Sequence, residues 1–357
     1  MSSSFGTIVK LSVFGQSHSA AIGAVVDGLP AGEAVDMERV RAFMRRRAPG
    51  GAAYSTKRKE PDEPQVLSGL VSGRTCGAPL MALIENTNQH PADYDALRDT
   101  PRPGHADFTA RMKYGDSVDL SGGGHFSGRL TAPVCFGGAV ALQVLERRGV
   151  AVHARIAEIA GILDAFEGDR AIVSAKDFPV LDDLAGARMR EAIERARLAG
   201  DSVGGVIECA IDGLPPGVGE PMMDSVESVL ARLMFSIPAV RGVEFGAGFQ
   251  AARMRGSTHN DAFIVEDGRV RTATNRHAGV LGGITTGMPV TFRVAFKPTA
   301  SIARPQQTVS LSEMRAETIQ VGGRHDPCVV PRAVPVVEAM AALGILDLMM
   351  IARGRAI

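Results

Sequence analysis

The sequence predicts an α+β fold in which long helices are buried between mostly antiparallel sheets. Two long segments, Arg129–Gly149 and Arg332–Met349, are apolar on nearly every side, which is typical of a buried helix. Short β-branched strands bounded by turns alternate with only a few long helices, without the rhythm of parallel βαβ units. Several segments also occur twice, in the same order, which indicates an internal repeat.

The repeat is clearest in two pairs of turn-and-strand segments. "VVDGLPAGE" (Val25–Glu33) returns as "AIDGLPPGVGE" (Ala210–Glu220), and "TCGAPLMALIENT" (Thr75–Thr87) returns as "TTGMPVTFRVAFKPT" (Thr285–Thr299). The long helices form a third pair, each with a proline expected in its first turn, where the missing N–H is harmless. The alternative is that these are merely common turn sequences.

We therefore predict one domain, residues 1–357, built from two pseudo-symmetric halves at about 1–150 and 200–357. A helical connector of about 151–200 joins them. It contains the Ala-, Arg- and Glu-rich segment Asp183–Asp201, which is typical of a solvated helix.

Composition excludes several classes of protein. Lys+Arg and Asp+Glu both number 39, so the net charge is zero and general nucleic-acid binding is not expected. The N-terminus lacks the pattern of a signal peptide, and no run of about 18 uninterrupted apolar residues predicts a membrane span. We expect a cytoplasmic protein.

The cysteines and histidines do not indicate a metal site. The four cysteines are far apart and form no CxxC pair, so we expect reduced, buried thiols: Cys76, Cys135, Cys209 and Cys328. No two histidines have the helical spacing of metal ligands.

Two histidines are candidates for chemistry. His18 lies among small residues in "FGQSHSAAIG", which leaves room for a ligand, although a structural or capping role is the alternative. His105 lies in the turn "RPGHADF", where Asp107 is able to orient the imidazole or favour its protonated form and Arg102 opposes protonation.

Arginines next to glycine-rich turns predict a polyanionic ligand. Arg45–Arg47 precede "APGG", Arg102 precedes "PGH", Arg129 follows a glycine triplet and Arg324 follows Gly-Gly. Such turns allow bidentate guanidinium contacts together with a close approach of backbone amides. For any single arginine, a surface salt bridge is the alternative.

Two further segments are typical of anion binding. "SGGGHFSGRLTAP" (Ser121–Pro133) leads into a helix N-terminus, but it is neither a Walker A loop nor a dinucleotide fingerprint. "KPTASI" (Lys297–Ile302) places a lysine and two hydroxyls at a strand end. The chain is therefore expected to hold one large anionic molecule or two smaller ones.

Taken together, these motifs resemble the chorismate synthase family nearly end to end. The matching segments follow in family order: "FGQSHSAAIGAVVDGLPAG", "RRRAPG", "KRKEPDE", "IENTNQ", "RPGHADF", "GDSVGG", "AVRGVEFGAGF", "NRHAGVLGGITTG", "KPTASI" and "GRHDPCVVPRAVPVVEAM". The resemblance implies the anti-1,4-elimination of phosphate from 5-enolpyruvylshikimate-3-phosphate to give chorismate. It also implies a requirement for reduced FMN without net redox change, a β-α-β sandwich fold and a homotetramer.

The resemblance also implies roles for individual residues. His105 would stabilise or protonate the leaving phosphate, His18 would protonate or hydrogen-bond reduced flavin, and Asp326 would be the base. The substrate anions would be bound by Arg46, Arg102, Arg129 and Arg324. FMN would contact His125, Phe126, Ser127, Ala239, Gly282, Lys297, Pro298, Thr299, Ala300, Ser301 and Arg324, with its phosphate near the Lys297–Ser301 run.

No additional domain or recognised long insertion suggests self-reduction of the flavin. We therefore expect NADPH to serve only as a flavin reductant, through an external flavin reductase. Two alternatives to a chorismate synthase are a small-molecule kinase with a glycine-rich anion loop and an inactive flavin-binding homologue. No clear nucleotide loop supports the first, and His18, His105 and Asp326 argue against the second.

The chain departs from the family pattern at several positions. The family has Glu at Gln16, Gly at Ser19 and commonly Arg at Ala53, for which Lys57 or Arg58 would compensate. After the glycine triplet, the family's Arg-Ser-Ser-Ala-Arg-Glu is replaced by His-Phe-Ser-Gly-Arg-Leu at positions 125–130. A permanent cation thus becomes His125, and because an imidazole loses its charge near neutral pH, we expect weaker ligand binding between about pH 7 and 8.

Overall fold

The computed structural model describes residues 3–50, 60–87, 99–165, 170–173, 176–322 and 325–355. In these ranges the helices are α1 (Met37–Arg47), α2 (Asp107–Tyr114), α3 (Thr131–Glu146), α4 (Arg170–Val173), α5 (Asp183–Leu198), α6 (Val226–Ser236), α7 (Gly256–His259) and α8 (Val330–Arg355). The strands are β1 (Ser4–Phe5), β2 (Lys10–Gly15), β3 (Ala21–Asp27), β4 (Gln65–Ser68), β5 (Leu70–Val71), β6 (Arg74–Thr75), β7 (Leu80–Glu85), β8 (Ala151–Ile159), β9 (Ile162–Leu163), β10 (Gly205–Asp212), β11 (Val240–Phe245), β12 (Phe263–Glu266), β13 (Arg269–Thr272), β14 (Val280–Leu281), β15 (Ile284–Thr285), β16 (Val290–Phe296), β17 (Gln306–Ser310) and β18 (Arg315–Ile319).

The strands form two five-stranded antiparallel sheets and four short hairpins. The first sheet has the order β1-β2-β3-β7-β4, and the second has the order β11-β16-β10-β8-β9. Alternate residues of β16 are buried, which is the period of a strand with one face on the core. The predicted α+β class with antiparallel sheets is confirmed.

The two long helices lie between the sheets. α3 packs on β2, β3 and β7 of the first sheet, and α8 packs on β8 and β10 of the second. The helices also pack on each other where Gly138 meets Ala339: a Cβ at Gly138 would stand 2.2 Å from the Ala339 Cβ. Because no side chain would fit at that contact, Gly138 allows the two helices to approach closely.

Nearly every residue of these helices is buried, as predicted. By length and composition, both Gly128–Glu146 and Val330–Gly354 could cross a membrane. However, 89% and 83% of their most apolar windows are buried inside the protein, so they are core helices. α8 begins at Val330, two residues before its predicted start, so the first-turn proline is Pro331 and Pro335 lies inside the helix.

The two sheets have similar strand orders. The central order β2-β3-β7-β4 has its counterpart in β8-β10-β16-β11. The turn that follows β3 is closed by Thr75, whose hydroxyl donates to Pro30 O and accepts from the Glu33 amide. The turn after β10 is closed in the same way by Thr285.

The predicted connector of 151–200 is helical only in part. Its first residues form β8 and β9, which belong to the second sheet because β8 pairs with β10 and β9 pairs with β8. The helical part is α5, where an exposed ion pair joins Glu191 and Arg195 at 2.8 Å. The two related halves remain a prediction.

The two ends of the described chain meet in the first sheet. The buried carboxylate of Asp347, on α8, accepts hydrogen bonds from the backbone amides of Thr7, Ile8 and Val9 at 2.8–2.9 Å. These amides lie immediately before β2, so the last helix fixes the start of the first sheet.

Candidate active site

A cavity of about 590 Å³ lies where the glycine turn, the start of α8 and the loop after β16 come together. The apolar side chains that line it are Phe126, Phe235, Ile237, Pro238, Val240, Phe296, Val329 and Val336. The cationic side chains that line it in the described part of the chain are Arg47, Arg102, Arg129, Lys297 and Arg332. Its size and mixed lining are those of a site for an organic anion.

The glycine triplet is explained by what packs against it. Gly122, Gly123 and Gly124 all have positive φ, at 59°, 87° and 53°. A Cβ at Gly122 would stand 2.1 Å from His18 Cε1, and a Cβ at Gly123 would stand 3.3 Å from His105 Nε2. Bare backbone is therefore needed both for the conformation and for two imidazoles.

His105 lines the cavity and is held from behind by a carboxylate. Its Nδ1 lies 2.6 Å from Asp107 Oδ1, and the Asp107 side chain is fully buried. Arg102 donates to both oxygens of Asp107, through Nε at 2.7 Å and Nη2 at 2.8 Å, while its Nη1 donates to Ser301 Oγ. Burial alone would raise the pKa of Asp107, but hydrogen bonds from Arg102 and His105 hold it well below its usual range.

Two other arginines share a second buried carboxylate. Asp62 accepts from Arg47 Nη1 on one oxygen and from Arg129 Nη1 on the other. Burial alone would raise the pKa of Asp62, but the two guanidinium groups outweigh it and lower the pKa. Glu60 lies 3.2 Å from Arg129 Nε, which also donates to Asn86. The positive charge at this wall is thus largely compensated within the protein.

Asp326 also lines the cavity and lies four residues before the start of α8. Its Oδ2 accepts from Arg332 Nη1, and Arg332 Nε donates to the carbonyl of Arg47 at 3.0 Å. His325 also lines the cavity, and burial lowers its pKa. This chain of contacts links α8 to the C-terminal end of α1.

Most predicted cofactor residues come together in the cavity. His125, Phe126, Ser127, Ala239 and the Lys297–Ser301 run all line it. The amide of Lys297 donates to the carbonyl of Ala239 at 2.9 Å, which joins two of these segments. Burial and nearby Arg241 lower the pKa of Lys297.

Both ring nitrogens of His125 have protein partners. Nδ1 donates to the Gly15 carbonyl, and Nε2 bonds Ser3 Oγ, each at 2.8 Å. The imidazole therefore ties the N-terminal segment to the glycine turn in addition to lining the cavity.

Other predicted site residues lie elsewhere. Arg46 is directed to Glu338 at 2.6 Å and does not line the cavity. Gly282 lies in the turn between β14 and β15, away from the lining. The ring of His18 lies behind Gly122, which itself lines the cavity. Arg324, Ala53, Lys57 and Arg58 lie outside the described residues.

Sequence reasoning missed Arg332 and Glu60, and from the Arg45–Arg47 run it selected Arg46 instead of Arg47. For Arg47 a signal was present, because the apolar positions of α1 are Met37, Val40 and Met44, and the next position of that stripe is 47. The helix therefore directs Arg47 inward and Arg46 to the side.

The four cysteines agree only in part with the prediction of reduced, buried thiols. All four cysteines are free, but Cys76 is exposed because it lies at a surface turn. Burial raises the pKa of Cys135 and Cys328 to about 12 in each case, so neither thiol is a nucleophile at neutral pH.

The cavity thus defines an enzyme site that combines a buried imidazole–carboxylate pair with guanidinium groups for an anionic substrate. Comparison with known proteins supplies the family. The chorismate synthase family model matches residues 9–350. A chorismate synthase of Korarchaeum cryptofilum is 48% identical over 349 residues, which cover 96% of each chain, and one of Thermococcus kodakarensis is 47% identical over 342 residues with the same coverage.

A solved structure agrees. A crystal structure of a chorismate synthase superposes with a TM-score of 0.76 and 25% identity, covering 97% of this chain and 93% of that one. This chain belongs to the chorismate synthase family. It is a phosphate-eliminating lyase of the shikimate pathway, which leads to the aromatic amino acids. The kinase alternative is therefore wrong.

Proposed function

We propose that the chain eliminates phosphate from 5-enolpyruvylshikimate-3-phosphate with reduced FMN bound beside the substrate in this cavity. The observation that carries the proposal is one cavity lined by apolar side chains, five cationic side chains and His105. The family is known to use reduced FMN. When bound, reduced FMN supplies an electron transiently and helps to take the ring proton.

The residues present fit such a cofactor. The flat, apolar ring system of the flavin would pack on apolar lining residues such as Phe126 and Phe296. Its phosphate would bind to the loop that begins at Lys297. The hydroxyl of Thr299 is buried in this loop, and no described residue provides it with a hydrogen-bond partner. A buried hydroxyl without a partner is costly, so a ligand atom there would be stabilised.

The substrate has two carboxylates and one phosphate, and the arginine side chains that line the cavity would bind these anionic groups. Arg129 and Arg47 are the proposed anion ligands among the described residues, together with Arg332, while Arg102 contributes through Asp107. Arg324 remains a predicted ligand of substrate and cofactor. Because bidentate guanidinium contacts need fixed geometry, the carboxylates that hold these arginines also preorganise them.

Protonation of the leaving group is assigned to His105. A proton on Nε2 passes to the phosphate oxygen as the C–O bond breaks, which leaves a neutral ring and free phosphate. Asp326, held by Arg332, is the proposed base that would accept the ring proton after the cofactor has collected it. His18 is proposed to hold a proton near the cofactor from behind Gly122.

An anaerobic assay tests the reaction. We expect chorismate and phosphate to form in equal amounts from the enolpyruvyl substrate, only when reduced FMN is present. Phosphate release that does not need reduced FMN would contradict the proposal, and the absence of any release would favour an inactive homologue.

The cofactor site has its own test, independent of turnover. Thr299→Val keeps the shape of the side chain but removes its hydroxyl, so we expect weaker FMN binding with unchanged stability. Thr308→Val is the matched control, because that hydroxyl donates to Pro101 O outside the cavity. It should cost stability and leave the FMN dissociation constant unchanged. If Thr308→Val weakens FMN binding and Thr299→Val does not, Thr299 is not part of the cofactor site.

We further propose a cytoplasmic homotetramer of pseudo-symmetric β-α-β sandwich subunits that relies on an external flavin reductase. The family's fold and the matching strand orders support the subunit proposal. Light scattering should give the mass of four chains. Turnover with FMN and NADPH should require an added reductase, and turnover without one would contradict this part of the proposal.

A further inference from the structure

We propose that Asp107 is a positioning residue for the elimination, which fixes the tautomer and the orientation of His105. The inference rests on the role proposed above for His105. It is drawn from the geometry around one carboxylate that does not itself line the cavity.

Each oxygen of Asp107 has a defined set of donors. Oδ2 accepts from the Arg102 amide at 3.0 Å and from Arg102 Nε at 2.7 Å. Oδ1 accepts from Arg102 Nη2 at 2.8 Å and lies 2.6 Å from His105 Nδ1. Because three of these four donors come from Arg102, the carboxylate cannot rotate away from the imidazole without losing them.

This arrangement determines which ring nitrogen carries the proton. Nδ1 has two neighbours: Asp107 Oδ1, which only accepts, at 2.6 Å, and Arg102 Nη2, which only donates, at 3.1 Å. Because the carboxylate contact is the shorter one and Arg102 Nη2 already donates to Oδ1, we assign Nδ1 as the donor to Asp107. Nε2 is then the nitrogen that faces substrate, and no described residue is its hydrogen-bond partner. In the neutral ring after the elimination, Nε2 is an acceptor and is ready for reprotonation.

The ring is held from its other side as well. A Cβ at Gly123 would stand 3.3 Å from both Cε1 and Nε2 of the ring, so a side chain at that position would crowd the imidazole on the edge away from Asp107. Among the described residues, the other charged or titratable groups near the ring are Arg102, Lys297, whose ammonium donates to Gly104 O, and His325. Asp107 is the described anion in direct contact with the ring, so Asp107→Asn would remove the negative charge beside Nδ1.

Asp107→Asn is the main test. We expect kcat to fall by about 10²–10⁴, KM to change much less and FMN binding to remain. The alkaline limb of the pH–rate profile should move to lower pH. Asp164→Asn is the matched control: its fully buried carboxylate also accepts from an arginine, Arg155, and from two backbone amides, but far from the cavity lining. It should cost stability without moving the pH profile.

A double-mutant cycle separates the possible outcomes. If Asp107 acts through His105, Asp107→Asn should cost little further activity in a His105→Ala background. Independent losses that multiply would overturn the inference. Full activity of His105→Ala would instead refute the proposed role of His105.

The wild-type enzyme provides a measurement that does not depend on a variant folding. Nitrogen-15 NMR of the neutral imidazole should show His105 protonated on Nδ1. A neutral ring protonated on Nε2 would overturn the inference. Wild-type activity and an unchanged pH profile in a folded Asp107→Asn enzyme would do the same.

Discussion

The imidazoles of His18 and His105 lie against neighbouring residues of one glycine turn. Gly122 contacts the first ring and Gly123 contacts the second, although the histidines are 87 positions apart in the chain. The turn is therefore a shared backbone support for two groups to which the family resemblance assigns proton transfer.

Gly122→Ala should disrupt this support. The new Cβ would overlap the His18 ring in addition to the strain of a positive φ. Gly32→Ala is the control, because Gly32 has a φ of 86° but nothing within 4 Å of its Cβ position. We expect Gly122→Ala to cost about 1–3 kcal/mol more in the free energy of unfolding than the control. Equal costs in urea unfolding would show that the ring moves aside freely.

His105→Ala should lower turnover by about 10²–10⁴, the usual range for losing a general acid. FMN should still bind, because the cofactor loop after β16 is unchanged. His18→Ala should lower turnover similarly and also change the spectrum of bound reduced flavin. Stopped-flow measurements with anaerobic enzyme would provide both quantities. A wild-type rate in either variant would remove that histidine from the mechanism.

His125 gives a prediction about pH. His125→Arg would place a permanent cation at this position, so FMN or substrate binding in that variant should depend less on pH between about 7 and 8 than in the wild type. Ser3→Ala is a useful control, since it removes the partner of Nε2 without adding a charge. Titrations of dissociation constants against pH would decide. Identical profiles for wild type and His125→Arg would mean that the ring supplies shape or a neutral hydrogen bond.

Asp62→Asn should destabilise the protein by about 3–5 kcal/mol at neutral pH, because two buried arginines lose their shared anion. The folded-state pKa of Asp62 is lowered, so its contribution is complete above the unfolded pKa, about 4, and is lost as pH falls through the folded pKa. The difference from wild type should therefore narrow below about pH 4. A constant difference in unfolding free energy across that range would contradict this electrostatic origin.

The two halves can be compared through Thr75 and Thr285. Each hydroxyl donates to a proline carbonyl and accepts a backbone amide in the corresponding turn. Thr75→Val and Thr285→Val should each cost about 1–3 kcal/mol. Thermal unfolding would show whether the two losses are similar. A loss in only one variant would count against equivalent turns.

The sequence predicted the buried helices because apolar residues surround them, a property that local composition reveals. It also identified His105 and the Lys297–Ser301 run, which the fold brings to one cavity. Arg46 was selected from the sequence, but Arg47 is the residue that lines the cavity. A run of three arginines does not show which of them the helix directs inward. The pairing of Asp62 with two arginines could not be predicted, since it joins residues from three distant segments.

The hydrogen bonds from the amides of Thr7–Val9 to Asp347 have a consequence for folding during translation. About 340 residues separate its two sides, and at about 5–20 residues per second the ribosome needs roughly 20–70 s to make them. Throughout that time the segment before β2 lacks its final acceptor, although α3, which packs on the first sheet, is made long before α8. The contact between α8 and the segment before β2 therefore forms only after both halves have been translated.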